Sequence, residues 1–126
     1  MKILEDRQYS KDHEWILFST SSARIGITDY AQDALGDVVF VQLPRIGNKF
    51  MAGSTCCEVE STKSVSDIYV PLAGVISTVN DKLSEQPGLL NTDPYGEGWI
   101  FELALDAAAD DSDLLDSQKY QQLIEG

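Results

Sequence analysis

One histidine, two adjacent cysteines and only nine lysines and arginines in 126 residues remove several classes of chemistry at once. His13 has no nucleophile or zinc partner at a useful spacing, so it reads as a structural or surface residue rather than a base. Cys56 and Cys57 fit no Cys-x-x-Cys or Cys/His pattern, so no metal site is expected. Neighbours on a strand point to opposite faces, and a disulfide between them would demand a distorted peptide link. They read as two small apolar side chains, Cys57 inward. Against the nine basic residues stand 21 acidic ones, giving a formal charge of -12 and a pI near 4.2. That balance repels nucleic-acid phosphates and anionic membranes, and it speeds encounters with basic patches on protein partners. No apolar run approaches the roughly 18 residues of a membrane span. The start, Met1-Lys2-Ile3-Leu4-Glu5-Asp6-Arg7, lacks the apolar core of a secretory signal and is too acidic for a transit peptide. The expected location is the cytoplasm of a bacterium, or the mitochondrial matrix for a processed chain.

What is present is a β-rich pattern with 43% hydrophobic residues, enough for one core and one domain over residues 1–126. Tyr9 to Phe18 ends in a strand with Trp15 and Leu17 on one face, Ser19 to Ser22 turns, and Ala23 to Ile27 returns as the second arm of a hairpin. Thr28 or Asp29 caps a short helix near 29–35, with Gly36 just past its end. Val38 to Leu43 is a nearly continuous apolar strand closed by Pro44. Val75, Ser77 and Val79 alternate along another strand, Ser84 to Thr92 is a loop or single helical turn, and residues 93–98 are a dense turn cluster. Trp99, Phe101, Leu103 and Leu105 are expected on one face of the last strand. Residues 107–126 read as an acidic linker followed by a helix that Asp116 caps, docking through Tyr120, Leu123 and Ile124.

Two further features organise this pattern. Leu43-Pro44-Arg45-Ile46-Gly47 and Val70-Pro71-Leu72-Ala73-Gly74 share an apolar-Pro-x-apolar/Ala-Gly form, each after a β-rich run, which suggests a duplicated unit folding as two interlocked halves. The expected fold is therefore mainly β, a flattened barrel or sandwich. Between the echoes, Cys57 and Val59, then Ile68 and Val70, alternate with polar residues around a central Lys63, so the segment reads as strand, turn, strand. A lysine at a hairpin tip is reachable by another protein. Local pattern leaves two readings open, a solubilising surface lysine or an acceptor for an outside enzyme.

The residues around that lysine decide between them. Glu60-Ser61-Thr62-Lys63-Ser64-Val65-Ser66-Asp67 resembles the lipoyl attachment motif of glycine cleavage system H proteins. So do His13-Glu14-Trp15, Ile25-Gly26-Ile27-Thr28-Asp29-Tyr30-Ala31-Gln32, Leu35-Gly36-Asp37-Val38-Val39-Phe40-Val41, Leu43-Pro44, Pro71 with Gly74, Asn91 with Asp93-Pro94-Tyr95, and Gly98-Trp99, all in the family's order. Related carriers differ at the lysine: biotinyl domains typically present Met-Lys-Met and acyltransferase lipoyl domains Asp-Lys-Ala, whereas Thr62 and Ser64 flank it here.

The resemblance implies a biotinyl/lipoyl-carrier fold with the lysine on a hairpin turn, an added N-terminal hairpin and a C-terminal helix. It implies lipoic acid joined by amide to Lys63 and a carrier that catalyses nothing alone. The implied partners are the pyridoxal-phosphate glycine decarboxylase (P protein), the tetrahydrofolate-dependent aminomethyltransferase (T protein), dihydrolipoamide dehydrogenase (L protein) and the lipoylating enzymes. A scaffold on which lipoate is made and relayed to other complexes is the alternative, with a biotin carrier behind both. The aminomethyl cargo is cationic and hydrolysable, so a carboxylate-bearing cleft is expected to hold it, with Glu14 and Asp67 as those carboxylates and the helix from Asp29 to Leu35 as part of the wall. Glu60, three residues before the lysine and outward-facing, is the residue expected to be read by the lipoylating enzyme.

Overall fold

The computed structural model describes residues 1–126 and shows two antiparallel sheets enclosing one main core. The larger sheet has six strands: β1 (Gln8–Tyr9), β2 (Glu14–Phe18), β3 (Ser22–Ile27), β5 (Lys49–Phe50), β8 (Gly74–Val79) and β9 (Phe101–Leu105), in the spatial order β1-β2-β3-β9-β8-β5. The smaller sheet is β4 (Val38–Gln42), β6 (Thr55–Ser61) and β7 (Val65–Tyr69), with β6 in the middle. Strand alternation fills the space between them. Ile16, Ile25 and Ile27 face in from one sheet, Val41, Cys57, Val59 and Ile68 from the other. The architecture is sandwich-like, and the sheets do not close into a barrel.

The duplicated pattern has a physical counterpart. β4 and β7 flank β6 on its two sides, each is followed by a Pro-x-x-Gly crossing, and the strands reached by those crossings, β5 and β8, pair with each other. Pro44 and Pro71 stand where each strand must leave its ladder, and a residue with no N–H loses nothing there.

The helix α1 (Asp29–Leu35) is capped by Thr28, whose hydroxyl accepts from the Ala31 amide at 3.1 Å. Residues 82–92 form two short turns of helix, α2 (Lys82–Glu85) and α3 (Leu89–Thr92), rather than one. The final helix α4 (Ser117–Glu125) starts at Asp116 as expected, its carboxylate accepting from the Lys119 amide at 2.8 Å. Its docking face differs from the expected one: Tyr120 is fully buried and Ile124 packs beside it, but Leu123 points into solvent. Positions 120, 123 and 124 share one helix face, but α4 docks on its 120/124 edge and leaves 123 at the margin.

A second cluster accounts for the aromatic residues. Tyr9, Trp15, Tyr95 and Tyr120 pack on the outer face of the six-stranded sheet, covered by Ile3, Leu4 and Ile124 from the chain ends. β2 is thus apolar on both faces, Ile16 toward the main core and Trp15 with Leu17 toward the aromatic one. Trp99 joins this second cluster, not the face of Phe101 and Leu103, because the chain enters β9 only at Phe101. Trp15 is held from three sides. Its Nε1 donates to the Pro94 carbonyl at 2.9 Å, the Arg7 guanidinium lies 4.6 Å above its ring, and Gly26 faces it across the strand pair. A Cβ at Gly26 would sit 2.6 Å from the ring carbons. Gly26→Ala should therefore force the indole off its seat and destabilise the fold by about 1–3 kcal/mol. A lower urea midpoint with a shifted tryptophan emission maximum is the expected result; an unchanged midpoint would show that the ring moves freely.

Candidate functional site

The turn joining β6 to β7 is built by Ser61. Its hydroxyl accepts from the amides of Lys63 and Ser64, each at 3.1 Å, and donates to the Ser64 carbonyl at 3.2 Å, while its own amide closes the turn on Ser64 at 2.8 Å. The Thr62 amide donates to the Asp37 carbonyl at 3.0 Å, which ties the tip to the corner between α1 and β4. Short hydroxyl-to-amide bonds of this kind fix a turn without a glycine. The Lys63 amine is exposed and belongs to none of the four ion pairs of the chain.

Gly36 receives the stem of that lysine. It ends α1 with φ 80° and ψ -160°, a conformation that L side chains rarely adopt, and a Cβ built on it would lie 2.9 Å from Lys63 Cε and 3.5 Å from Nζ. Asn91 holds the corner in place: its Oδ1 accepts from the Val38 amide at 2.9 Å, and its Nδ2 donates to the Gly36 carbonyl at 2.8 Å.

Beside the tip, a cleft of about 320 Å³ runs between α1 and the outer edge of β7. Ile27, Tyr30, Ala31, Leu35 and Ile68 make it apolar, and Ser64 brings its rim to the residue next to Lys63. Asp67 lies on this rim, and so does Asp12, which sequence reasoning did not select. His13 forms the far end. It is the one non-glycine residue with positive φ, 68°, at the close of the turn from Ser10 to His13 between β1 and β2, where a left-handed residue completes a common hairpin. Its Nδ1 is 2.9 Å from the Tyr120 hydroxyl, whose oxygen is 2.7 Å from Thr28 Oγ1. Burial pulls the imidazole's pKa down from its ordinary value, against the opposing pull of Asp12, and so favours the neutral ring.

Glu14 does not line the cleft. It is 1% exposed, and its two carboxyl oxygens are occupied by the Ser10 hydroxyl at 2.8 Å and the Tyr69 amide at 3.0 Å. The expectation that Glu14 and Asp67 face one cavity therefore needs correction: strand alternation puts Glu14 inward, next to buried Trp15, under the free edge of β7. Burial pushes its carboxyl up to about 8, against the pull of those two hydrogen bonds. Glu60 is outward and exposed, opposite Val65. The cysteines also depart from simple alternation. A bulge between Thr55 and Cys57 leaves the two sulfurs 3.9 Å apart, both as free thiols, and the neighbouring sulfur with burial pushes the Cys57 thiol up.

Chemically, the arrangement offers an accessible primary amine on a rigid turn, and next to it an apolar cleft with two carboxylates on its rim. Ser61 stood in the sequence only as part of the motif, and its turn-building role comes from the structure. The Gly36 contact was not legible, because it spans 27 residues of sequence with no periodic signal.

A family model described as Glycine cleavage H-protein matches residues 7–126. A glycine cleavage system H protein of Thermus thermophilus is 51% identical over 125 residues, 99% of this chain and 98% of the relative. That of Nocardia farcinica is 54% identical over 127 residues, 97% of this chain and 96% of the relative. A crystal structure of a glycine cleavage system H protein from Mycobacterium marinum aligns with a TM-score of 0.89 at 42% identity, covering 98% of this chain and 100% of the other.

The raised Glu14 carboxyl sets a pH signature. Between its ordinary value of 4.5 and about 8 the folded chain holds a proton that the unfolded chain releases, so this stabilisation is full below 4.5 and is lost as pH rises toward 8. The loss amounts to roughly 3–5 kcal/mol. Glu14→Gln should keep the shape and remove this component: comparing urea midpoints at about pH 5 and about pH 8.5, the native chain should weaken more than the variant. Equal slopes would place the titration elsewhere.

Proposed function

This chain belongs to the glycine cleavage H-protein family, and on that premise we propose that Lys63 is the residue through which it carries lipoic acid, as an N6-lipoyl amide. Membership makes it a lipoyl carrier of the glycine cleavage system, shuttling the aminomethyl group derived from glycine. The single observation that carries the assignment to Lys63 is the pairing of an exposed, ion-pair-free amine with the bare backbone of Gly36 beneath its stem.

The residues present fit a lipoyl group. A side chain at position 36 would fill the path the lysine stem takes, and the neighbouring cleft is lined by apolar side chains suited to a long aliphatic arm. When bound, the group supplies a dithiolane that is opened to accept the one-carbon fragment and is closed again by oxidation. Ser61 and Asp37 hold the turn so that the amine meets its modifying enzyme in one orientation. Tyr30, Leu35 and Ile68 exclude water along the cleft. Asp67 and Asp12 present carboxylates to a cationic amine at its rim. Glu14 acts from beneath as a positioning residue, holding the Tyr69 amide and with it the edge of β7.

The partners fitting this role are glycine decarboxylase, the aminomethyltransferase, dihydrolipoamide dehydrogenase and a lipoylating enzyme. The chain itself serves as a substrate for each rather than as a catalyst. Incubation with a lipoylating enzyme, lipoate and ATP, followed by peptide mass analysis, should place one lipoyl adduct on Lys63. Lys63→Arg should fold with an unchanged urea midpoint and gain no adduct, because a guanidinium stays protonated and is a poor acyl acceptor. An adduct on the arginine variant would move the site. On the loaded protein, Asp67→Asn combined with Asp12→Asn should speed hydrolysis of the aminomethyl adduct about threefold to thirtyfold; an unchanged rate would remove both carboxylates from the role.

A further inference from the structure

Strand β4 breaks its own alternation beside the lysine hairpin. In a regular strand Val39 and Phe40 would point to opposite faces. The bulge between Val38 and Phe40 instead turns both outward, 50% and 54% exposed, while Val38 and Val41 keep their places in the core. Phe40 stands opposite Glu60, and Glu60 stands opposite Val65, which is itself 56% exposed. One row across the outer face of the small sheet therefore carries Phe40, Glu60 and Val65. Glu58 and Asp67, paired in register and also exposed, make an acidic row next to it.

Single exposed apolar residues are ordinary, but here three of the chain's eight large exposed apolar side chains gather at the end of the sheet that bears Lys63. About half of each side chain stays open to solvent, and the bulge that presents two of them interrupts a ladder. Both features make sense as a contact with another molecule. We propose that Val39, Phe40 and Val65 form the docking surface for the enzyme that acylates Lys63, and that this enzyme meets them with an apolar patch rimmed by basic side chains.

Distance selects that partner among the possible visitors. For an enzyme that works on the far end of a lipoyl arm, the reacting atoms lie a full arm's length from the amine, so contact with the residues beside Lys63 is not required by the chemistry. The acylating enzyme has to bring an activated carbonyl to bonding distance of Nζ, so its surface abuts the residues next to Lys63, and Val65 is two residues away. In that step the nitrogen forms the amide bond to the carbonyl carbon, the bond from that carbon to the donor's leaving group breaks with its electron pair, and the amine's proton passes to solvent. Charge points the same way. Glu60 sits within the apolar row and Glu58 with Asp67 flanks it on one side, and basic side chains opposite them would speed and orient the encounter. Glu60 alone was expected to be read; the apolar residues flanking it supply the contact area.

The inference rests on Lys63 being the acceptor, and the test separates the two claims. Lipoylation kinetics with a lipoate-protein ligase, lipoate and ATP are compared for the native chain, for Val39→Thr/Phe40→Thr/Val65→Thr, and for Ile46→Thr/Met51→Thr. Ile46 and Met51 are 60% and 75% exposed and lie outside the row. The triple variant should raise KM about tenfold with kcat within about twofold. The control pair should match the native chain, and urea midpoints should agree. Once fully lipoylated, the triple variant should be turned over by dihydrolipoamide dehydrogenase at the native rate. An unchanged KM, an equal rise in the control pair, or an equal loss with the dehydrogenase overturns the docking assignment while leaving Lys63 in place. Failure of the native chain to gain an adduct on Lys63 overturns the acceptor assignment instead.

Discussion

The open edge of β7 is the constraint from which the site follows. A three-stranded sheet leaves two edges, and an unpaired edge both wastes hydrogen-bonding groups and invites pairing with another chain. Here the Glu14 carboxyl takes the Tyr69 amide from below, and α1 with the His13 turn stands off to the side. The edge is covered by a helix and a loop at a distance, not by another strand, and the space left between is the cleft. Because Glu14 is buried beneath that edge, its carboxyl, its proton and the position of β7 are tied together.

The chain ends reinforce the same region from the opposite side. Tyr120 on α4 reaches both Thr28, which caps α1, and His13, which closes the cleft. Its ring stacks on Tyr9 with centroids 4.6 Å apart, and Leu115 pairs with Tyr9 through two backbone bonds of 2.8 and 2.7 Å. The acidic stretch before α4 is strapped down as well, since Ala109 and Leu114 pack on the main core. One aromatic cluster thus connects the last helix to one wall and the far end of the cleft, and the order of the terminal segments is part of the geometry near Lys63.

How much of this was legible depends on the range of the interaction. Alternation in β6 and β7 and the Asp116 cap are set by residues a few positions apart and agree with the structure, which also decides between the two expected caps of α1 in favour of Thr28. The lysine hairpin was legible for the same reason, and its identity came from a motif rather than from pattern. Departures arise where one residue is inserted into a ladder. The bulge at Val39 defeats period-two reasoning about which face a side chain takes, whereas the one at Cys56 brings two sulfurs together and leaves Cys57 inward as expected; no local composition signals either. Trp99 and Leu123 were misplaced because the boundary of β9 and the docking angle of α4 are decided by tertiary packing. The depth of Glu14 was missed because both sides of β2 are covered, which a two-layer expectation does not anticipate.

The bare backbone at Gly36 has one more consequence. A lysine whose methylenes are laid along a rigid corner is a tether with its pivot moved from the main chain out to the nitrogen. A group attached there searches a smaller volume than one swinging from the α-carbon, and local concentration rises as that volume falls. Shortening the effective radius by about a third concentrates the tip roughly threefold near the cleft mouth, by simple volume scaling. For an arm carried on Lys63, the absent methyl of a single glycine would thereby set the odds of its being sheltered between one encounter and the next.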